Sequence, residues 1–457
     1  MRSMKYFSLS AAFFLVAGTL AAQIKQPLTI RECVELGLAK SRGLHASGMN
    51  VETASAKFQE VSAMRMPTLK FSGAYTRLSE VPPFAIDFSS VSQFIPVPNS
   101  FPTTFVVSPS FVNSYNLRLM FQEPLFTGFR LQSSVEMAQL NVRAAEEDYD
   151  KDRNELVLGI QTAYWNLFRA LELKKMMGRS VEISKAHLTD VENYYAQGLL
   201  TKNEVFKVQA QLSQLEFLKL EAKNAVELAT VFLNNLIGLP LDAEIEPISR
   251  VGETLRDESK EGLGDVQKLM DKALSSRPEL KAMDFRVKAS ERGITLAKSS
   301  WYPQILLAGN YYYSRPNPRI LPTKDKFIRT WDIGIVFFLD IWNWGTTIQQ
   351  TRQAKAQLSQ AQDALSLMRD SVTVEVMQSY LSFKQAKEKI EVAEQGVKQA
   401  EENYRVTSDT FKQGLALNSE VMDAEFLLLQ AKTNSTQALI DFELARARLQ
   451  KVVGGPF

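Results

Sequence analysis

Apolar and small residues recur in alternating steps of three and four through the second half of the chain. Phe383, Ala386, Ile390, Ala393, Val397, Ala400, Tyr404 and Phe411 share one helical face, with Thr407 the one polar member of the series. No proline interrupts the run from Gly345 to Gln413. It stops at Gln413-Gly414-Leu415, where glycine can take the left-handed conformation that closes a helix. A second helical pattern runs from about Asn418 to Val453, so the two predict a long helical hairpin.

The same hairpin occurs earlier. Subtracting 216 (414 minus 198) places Tyr380 on Tyr164, Val397 on Val181, Gln413-Gly414-Leu415 on Gln197-Gly198-Leu199, Glu420-Val421 on Glu204-Val205, and Gly454 on Gly238. The register needs no gap from Tyr115, over Trp331, to the chain end, which marks an internal duplication. A helix from Leu131 to Gln197 has 67 residues; at about 1.5 Å each it is about 100 Å long. It therefore needs neighbours of its own length, from this chain or from copies of it.

Upstream of each hairpin lies a helical pattern followed by strands. Thr29 to Met66 reads as helix and ends at Pro67; its counterpart, Asp265 to Tyr302, ends at Pro303. Four segments then alternate with period two. Leu69, Phe71, Gly73 and Tyr75 share a face, as do Tyr115, Leu117, Leu119 and Phe121. So do Ile305, Leu307, Gly309, Tyr311 and Tyr313, and likewise Trp331, Ile333, Ile335, Phe337 and Leu339. Tyr75, Tyr115, Tyr311 and Trp331 are expected at the loop ends of these strands, as in an aromatic girdle at a membrane interface. A soluble four-stranded sheet would alternate equally well. The loop Arg77 to Ser114 is long and proline-rich, whereas Ser314 to Thr330 is short. Residues 239–264 form a connector, giving two repeats over 23–238 and 265–457.

The N-terminus adds a location. Arg2 and Lys5 precede an apolar run from Leu9 to Leu20 and the small residues Ala21 and Ala22, so 1–22 reads as a secretory signal. No later stretch is long and apolar enough for a spanning helix, which leaves a closed β-barrel as the route through a membrane. Lys+Arg 53 against Asp+Glu 51 gives a net charge of +2, and nothing points to a nucleic-acid partner. Cys33 is the single cysteine, and the chain lacks the P-loop, GxGxxG, HExxH and GxSxG motifs. No cofactor, metal site or catalytic residue is expected, and His45, His187 and Cys33 read as packing or surface residues. Phe457 ends the chain after Gly454-Gly455-Pro456 and carries no inference.

Each half thus reads helix, strand, loop, strand, very long helix, glycine turn, helix. With the export signal, the two Gln-Gly-Leu turns, Glu204-Val205 and Glu420-Val421, the Pro67 and Pro303 junctions, and Pro124-Leu125-Phe126-Thr127-Gly128, the chain resembles the TolC-like outer membrane efflux proteins. The resemblance covers essentially the whole mature chain. It implies an α+β membrane protein: a homotrimer with a 12-stranded β-barrel in outer membrane lipid and a long periplasmic α-helical barrel. The implied partners are a periplasmic adaptor protein and an inner membrane transporter. A different class is an exported structural coiled-coil protein with a small β head, which would need no detergent.

Gly198, Leu199, Gly414 and Leu415 are plain helix caps in isolation; the resemblance makes them adaptor-docking tips. Thr201 to Glu204 has the spacing of a capping box, which Leu417 denies to Glu420. Glu420 and Asp423, three apart in a first turn, share a helix face and gain from the helix dipole. Family members latch the periplasmic gate with a tyrosine before the tip glycine and an arginine after it, both reaching an acidic partner that matches Glu204. Here those positions are Phe411 and Ala416, so the familiar latch is absent, while Glu420 and Asp423 match the family's acidic constriction.

Overall fold

The computed structural model describes residues 26–89, 98, 102, 104–249 and 265–455; the expected export signal, Phe457 and most of the connector lie outside them. In chain order the elements are β1 (Gln26–Leu28), α1 (Ile30–Lys40), α2 (Arg42–Ala63), β2 (Thr68–Arg77), β3 (Phe84–Asp87), β4 (Thr104–Ser108) and β5 (Asn113–Thr127). Then come α3 (Arg130–Ala196), α4 (Lys202–Ile237), β6 (Ile245–Pro247), α5 (Val266–Ser276), α6 (Pro278–Lys298) and a 3-10 turn (Ser299–Trp301). The chain continues with β7 (Gln304–Arg315), β8 (Ile328–Phe338), α7 (Thr346–Lys412) and α8 (Asn418–Val452). Two compact units cut across the halves: one takes the chain up to Arg42, Arg153–Leu269 and Val376 onward, the other Gly43–Asp152 and Met270–Glu375.

In the second unit, β2, β5, β7 and β8 form one antiparallel sheet in that order. The register aligns Phe71, Leu119, Tyr311 and Trp331 on one rung, and Leu69, Phe121, Gly309 and Ile333 on the next of the same face. Every residue of β2 is exposed, and Trp331, Ile333, Ile335 and Phe337 project uncovered from β8. Among the described residues, the two edge strands, β2 and β8, keep one side each without a partner strand. The girdle expectation is met in part. Tyr75 and Tyr115 pair with ring centroids 5.0 Å apart, but Tyr311 and Trp331 pair four residues further along. The opposite face is polar: Arg118 donates to Asn310 Oδ1 at 2.7 Å, Asn310 to Asp332 at 2.6 Å, and Arg319 to Asp332 at 2.7 Å. Pro124 sits in β5 where the pairing with β7 slips, a bulge that tolerates its missing N–H.

Beyond the sheet, each long helix begins with two consecutive left-handed residues. These are Gly128-Phe129 (φ 61° and 67°) before α3 and Trp344-Gly345 (φ 54° and 79°) before α7. A Cβ on Gly128 would lie 2.7 Å from Tyr302 Cβ, so close approach as well as φ requires glycine there.

The expected N-terminal helices are each broken once. Ser41 (ψ 119°) separates α1 from α2, and Arg277 (ψ 127°) separates α5 from α6, positions 236 apart (277 minus 41). Pro278 excludes Arg277 from the helical region, and the buried guanidinium of Arg277 is held by Glu279 and by Glu375 at 2.6 Å. Neither break was expected: Pro278 marks the second in the sequence, whereas Ser41 has no such neighbour.

The first unit is helical. Its core gathers Cys33, Ile160, Tyr164, Trp165, Leu167, Leu233, Ile237 and Ile440. Burial pushes the Cys33 thiol up to about 12. A parallel pairing of β1 with β6, absent from the sequence reading, is pinned by Tyr164: its hydroxyl donates to Leu28 O and accepts from Ser249 N, both at 3.0 Å. The α7 seam lies as its spacing predicts. Phe383, Ala386 and Ile390 pack with Ala438 and Phe442 of α8, and Phe411 closes the far end.

Candidate functional site

The helix–helix turns of the first unit bring the sequence-selected residues together. Gly198 (φ 76°) and Gly414 (φ 77°) are left-handed, as a helix-closing glycine must be. Behind each, the next amide reaches back across the turn: Leu199 N donates to Tyr194 O at 2.9 Å, and Leu415 N to Thr410 O at 3.0 Å. A Cβ on either glycine would meet open space, so only φ opposes substitution. Leu199 and Leu415 project into solvent, 67% and 76% exposed, with Leu417 beside them at 67%.

Beneath the turns lies an apolar cluster of Val191, Val205, Val208, Phe411 and Val421, with Tyr194, Tyr404 and Ala416 packed against it. Phe411 is buried and packs edge-on against His187 (5.2 Å) and Tyr194 (5.6 Å). It therefore serves as an apolar plug where a tyrosine would need a partner. A cleft of 520 Å3 opens beside it, lined by Leu199, Glu204, Phe411, Gly414, Leu417 and Asn418 among others.

The two caps exchange the roles expected of them. Thr201 makes no side-chain capping bond, and Glu204 turns outward from its own helix start. Its carboxylate accepts from Lys207 Nζ at 2.7 Å and from Asn418 Nδ2 at 2.8 Å. The Lys207 and then the Asn418 hydrogen bond hold the Glu204 carboxyl below its ordinary range. Glu420, by contrast, does tie down its helix: its Oε2 accepts from Leu417 N at 2.9 Å. Leu417 has no side-chain acceptor to return, so half of a capping box forms. Glu420 and Asp423 are both exposed on α8.

The sequence reading missed Asn418 and underrated His187. Asn418 is 3% exposed and His187 8%, and His187 Nε2 lies 2.7 Å from Asn418 Oδ1. Burial lowers the His187 pKa, against the raising effects of the Asn418 bond and of Asp190. Glu425, 4% exposed, lies on the same buried face of α8 as Asn418, Val421 and Leu428. Its carboxyl is pushed up to about 7 by burial. Gln211 Nε2 reaches one Glu425 oxygen at 3.4 Å, while the other, and Gln211 Oε1, have no partner. The available signal was positional: residues 418, 421, 425 and 428 are spaced three, four and three apart, so two polar residues occupy an apolar stripe. Among the described residues no group of three or more His, Cys, Asp or Glu is arranged to hold a metal ion, and no helix is long and apolar enough to cross a membrane.

Comparisons with known proteins agree with this architecture. The alkaline protease secretion protein AprF of Pseudomonas aeruginosa is 22% identical over 346 residues, covering 75% of this chain and 70% of AprF. The outer membrane protein TolC of Vibrio cholerae is 22% identical over 322 residues, 70% of this chain and 72% of TolC. The solved structure of the outer membrane protein VceC from Vibrio cholerae has the same fold, with a TM-score of 0.76 at 20% identity over 94% of this chain and 96% of VceC. A family model described as outer membrane efflux protein matches residues 34–239 and 269–455. That match spans both halves, including the sheet and both tips, and the chain belongs to the outer membrane efflux protein family.

Proposed function

We propose that the protein is a passive exit duct of an export pump, assembled as a homotrimer. Three copies of its four-stranded sheet close a twelve-stranded barrel in the outer membrane, and its helices form a periplasmic tube. The observation that carries this reading is the sheet: among the described residues both edges lack a partner strand, and an apolar face from Phe71 to Trp331 and Ile333 stands uncovered. In water such a surface aggregates; in lipid, edge-to-edge closure satisfies every backbone group. β2, β7 and β8 have 10, 12 and 11 residues, near the length of about 9–11 that a tilted strand needs to span. The same face argues against a soluble coiled-coil protein with a β head. No catalytic role is assigned to any residue.

In this reading Leu199 and Leu415, exposed beside their glycines, dock the tips of a periplasmic adaptor, which links the duct to an inner membrane transporter. Threefold symmetry gathers Glu420 and Asp423 into an acidic ring that favours cations at the periplasmic entrance. Glu204 and Phe411 belong to the packing behind that entrance, with Ala416 leaving room where an arginine would stand. Cell fractionation followed by native mass measurement tests the assembly. A detergent-extracted trimer from the outer membrane is expected; a detergent-free monomer in the periplasm would refute it.

A further inference from the structure

Three polar side chains at the tip bind elements from both halves of the chain to one another. Glu204, on α4, is an acceptor when ionised, so the Asn418 atom facing it at 2.8 Å must be the donor Nδ2. That orientation turns Asn418 Oδ1 toward His187 at 2.7 Å, and an amide oxygen only accepts. His187 Nε2 therefore carries the hydrogen and donates. One buried amide at the start of α8 thus joins His187 of α3 to Glu204 of α4, where the first hairpin meets the second.

The surroundings make this bridge sensitive to protons. The His187 ring packs edge-on against Phe411 of α7, beside a cluster of valines and Tyr404. Charged groups approach it from few directions. Asp190 lies on its own helix, Glu204 and Lys207 of α4 reach it through Asn418, and Glu425 lies two turns further along α8. A proton added at Nδ1 leaves the Nε2–H bond in place but buries an imidazolium ion at a site that is 8% exposed. A separated tip hydrates that charge, so protons bind the separated form more strongly.

We propose that His187–Asn418–Glu204 is a proton-released clasp that fastens the second hairpin to the first at the tip. The sign follows from linkage. The pKa of His187 is lowered when the clasp is closed, so its contribution is complete above the free histidine value of about 6.5 and is lost as pH falls through the closed-state value. The lowered pKa of Glu204 acts in the same direction at more acidic pH, where its carboxylate is neutralised and ceases to hold Asn418. Acid loosens the tip. The clasp itself follows from the packing alone; its effect on passage rests on the exit-duct reading.

Hydrogen exchange of the detergent-extracted protein, read by mass spectrometry on peptides covering 202–210 and 418–426 at pH 7.5 and 5.5, tests the clasp without assuming a channel. All proteins compared carry Glu425→Gln, which removes the opposing titration of that buried carboxyl. After correction for intrinsic exchange, the protein that keeps His187 is expected to open several-fold more at pH 5.5. His187→Gln keeps a donor but cannot titrate, so its opening should be the same at both values. Asn418→Ala should open the tip at both. An acid response in His187→Gln equal to that of the protein that keeps His187, or none in the latter, overturns the proposal. Bilayer conductance over the same pH range separates the two readings. Exchange that responds while conductance does not upholds the clasp and refutes the gating role of the tip. Flat exchange refutes the clasp and leaves the duct standing.

Discussion

Replacing Glu425 by Gln should stabilise the protein at alkaline pH and leave it unchanged in acid. The carboxyl is 4% exposed on the inner face of α8, and one of its oxygens lacks any partner. Burial raises its pKa from the ordinary carboxyl value of 4.5 to about 7. A raised carboxylate pKa means that the folded protein keeps a proton the unfolded chain has released. Stability therefore falls as pH rises from 4.5, by about 1.4 kcal/mol per pH unit, until the folded pKa is reached. Over this interval the loss is about 3 kcal/mol per protomer, and above pH 7 it is constant. Gln has nearly the same shape, carries no charge and can still meet Gln211. Thermal unfolding of wild type and Glu425→Gln at one scan rate, at pH 4.5 and pH 8, provides the assay. The variant should melt higher at pH 8 and match wild type at pH 4.5. An equal difference between the two proteins at both pH values would show that Glu425 does not titrate in its buried position, and the reasoning would fail.

Other outcomes follow from the same geometry. Gly414→Ala meets no atom but must hold a left-handed φ, so it should cost about 1 kcal/mol and keep the tip folded, as read by exchange at 410–420. Leu415→Asp adds no strain and should abolish export in an efflux assay while the trimer persists; export by a folded Leu199→Asp/Leu415→Asp double variant would place docking elsewhere. Tyr164→Phe leaves Leu28 O and Ser249 N without their buried partner, for a loss of about 1–3 kcal/mol in thermal or denaturant stability. Glu420→Gln/Asp423→Asn should weaken block by a trivalent cation added on the periplasmic side of a bilayer; equally tight block would remove the acidic ring from these residues.

Much of this architecture was legible because it is periodic. The seam from Phe383 to Phe411 and the four alternating strands follow from local spacing, and the left-handed Gly198 and Gly414 follow from the turn sequence. What was not legible depends on distant partners. β1 and β6 are three residues each and pair across more than two hundred positions, so no window contains the signal. β3 and β4 pair within a proline-rich loop whose composition gave only irregular chain. The caps misled for a specific reason. Thr201 and Glu204 have the right spacing, but Lys207 and the Asn418 amide offer the carboxylate stronger donors than its own backbone. His187 was undervalued because its partner is 231 residues away, and a lone histidine has no motif.

The bare edges of β2 and β8 impose a rule of encounter on every newly exported chain. Each protomer carries two templates for strand addition, and any extended polypeptide it meets can occupy one. In the proposed trimer the productive partner is another copy in one orientation, so maturation would be at least second order in protomer concentration. Scarce protein waits longest in its most adhesive form. The chain has some insurance: Lys70 stands on the β2 edge, and Arg329 and Asp332 stand on β8, charges that penalise entry into an aggregate more than into a wet lumen. A holding chaperone that covers these edges in transit would raise yield more than any gain in protomer stability, because the hazard is a race between partners and not a deficit of folding energy.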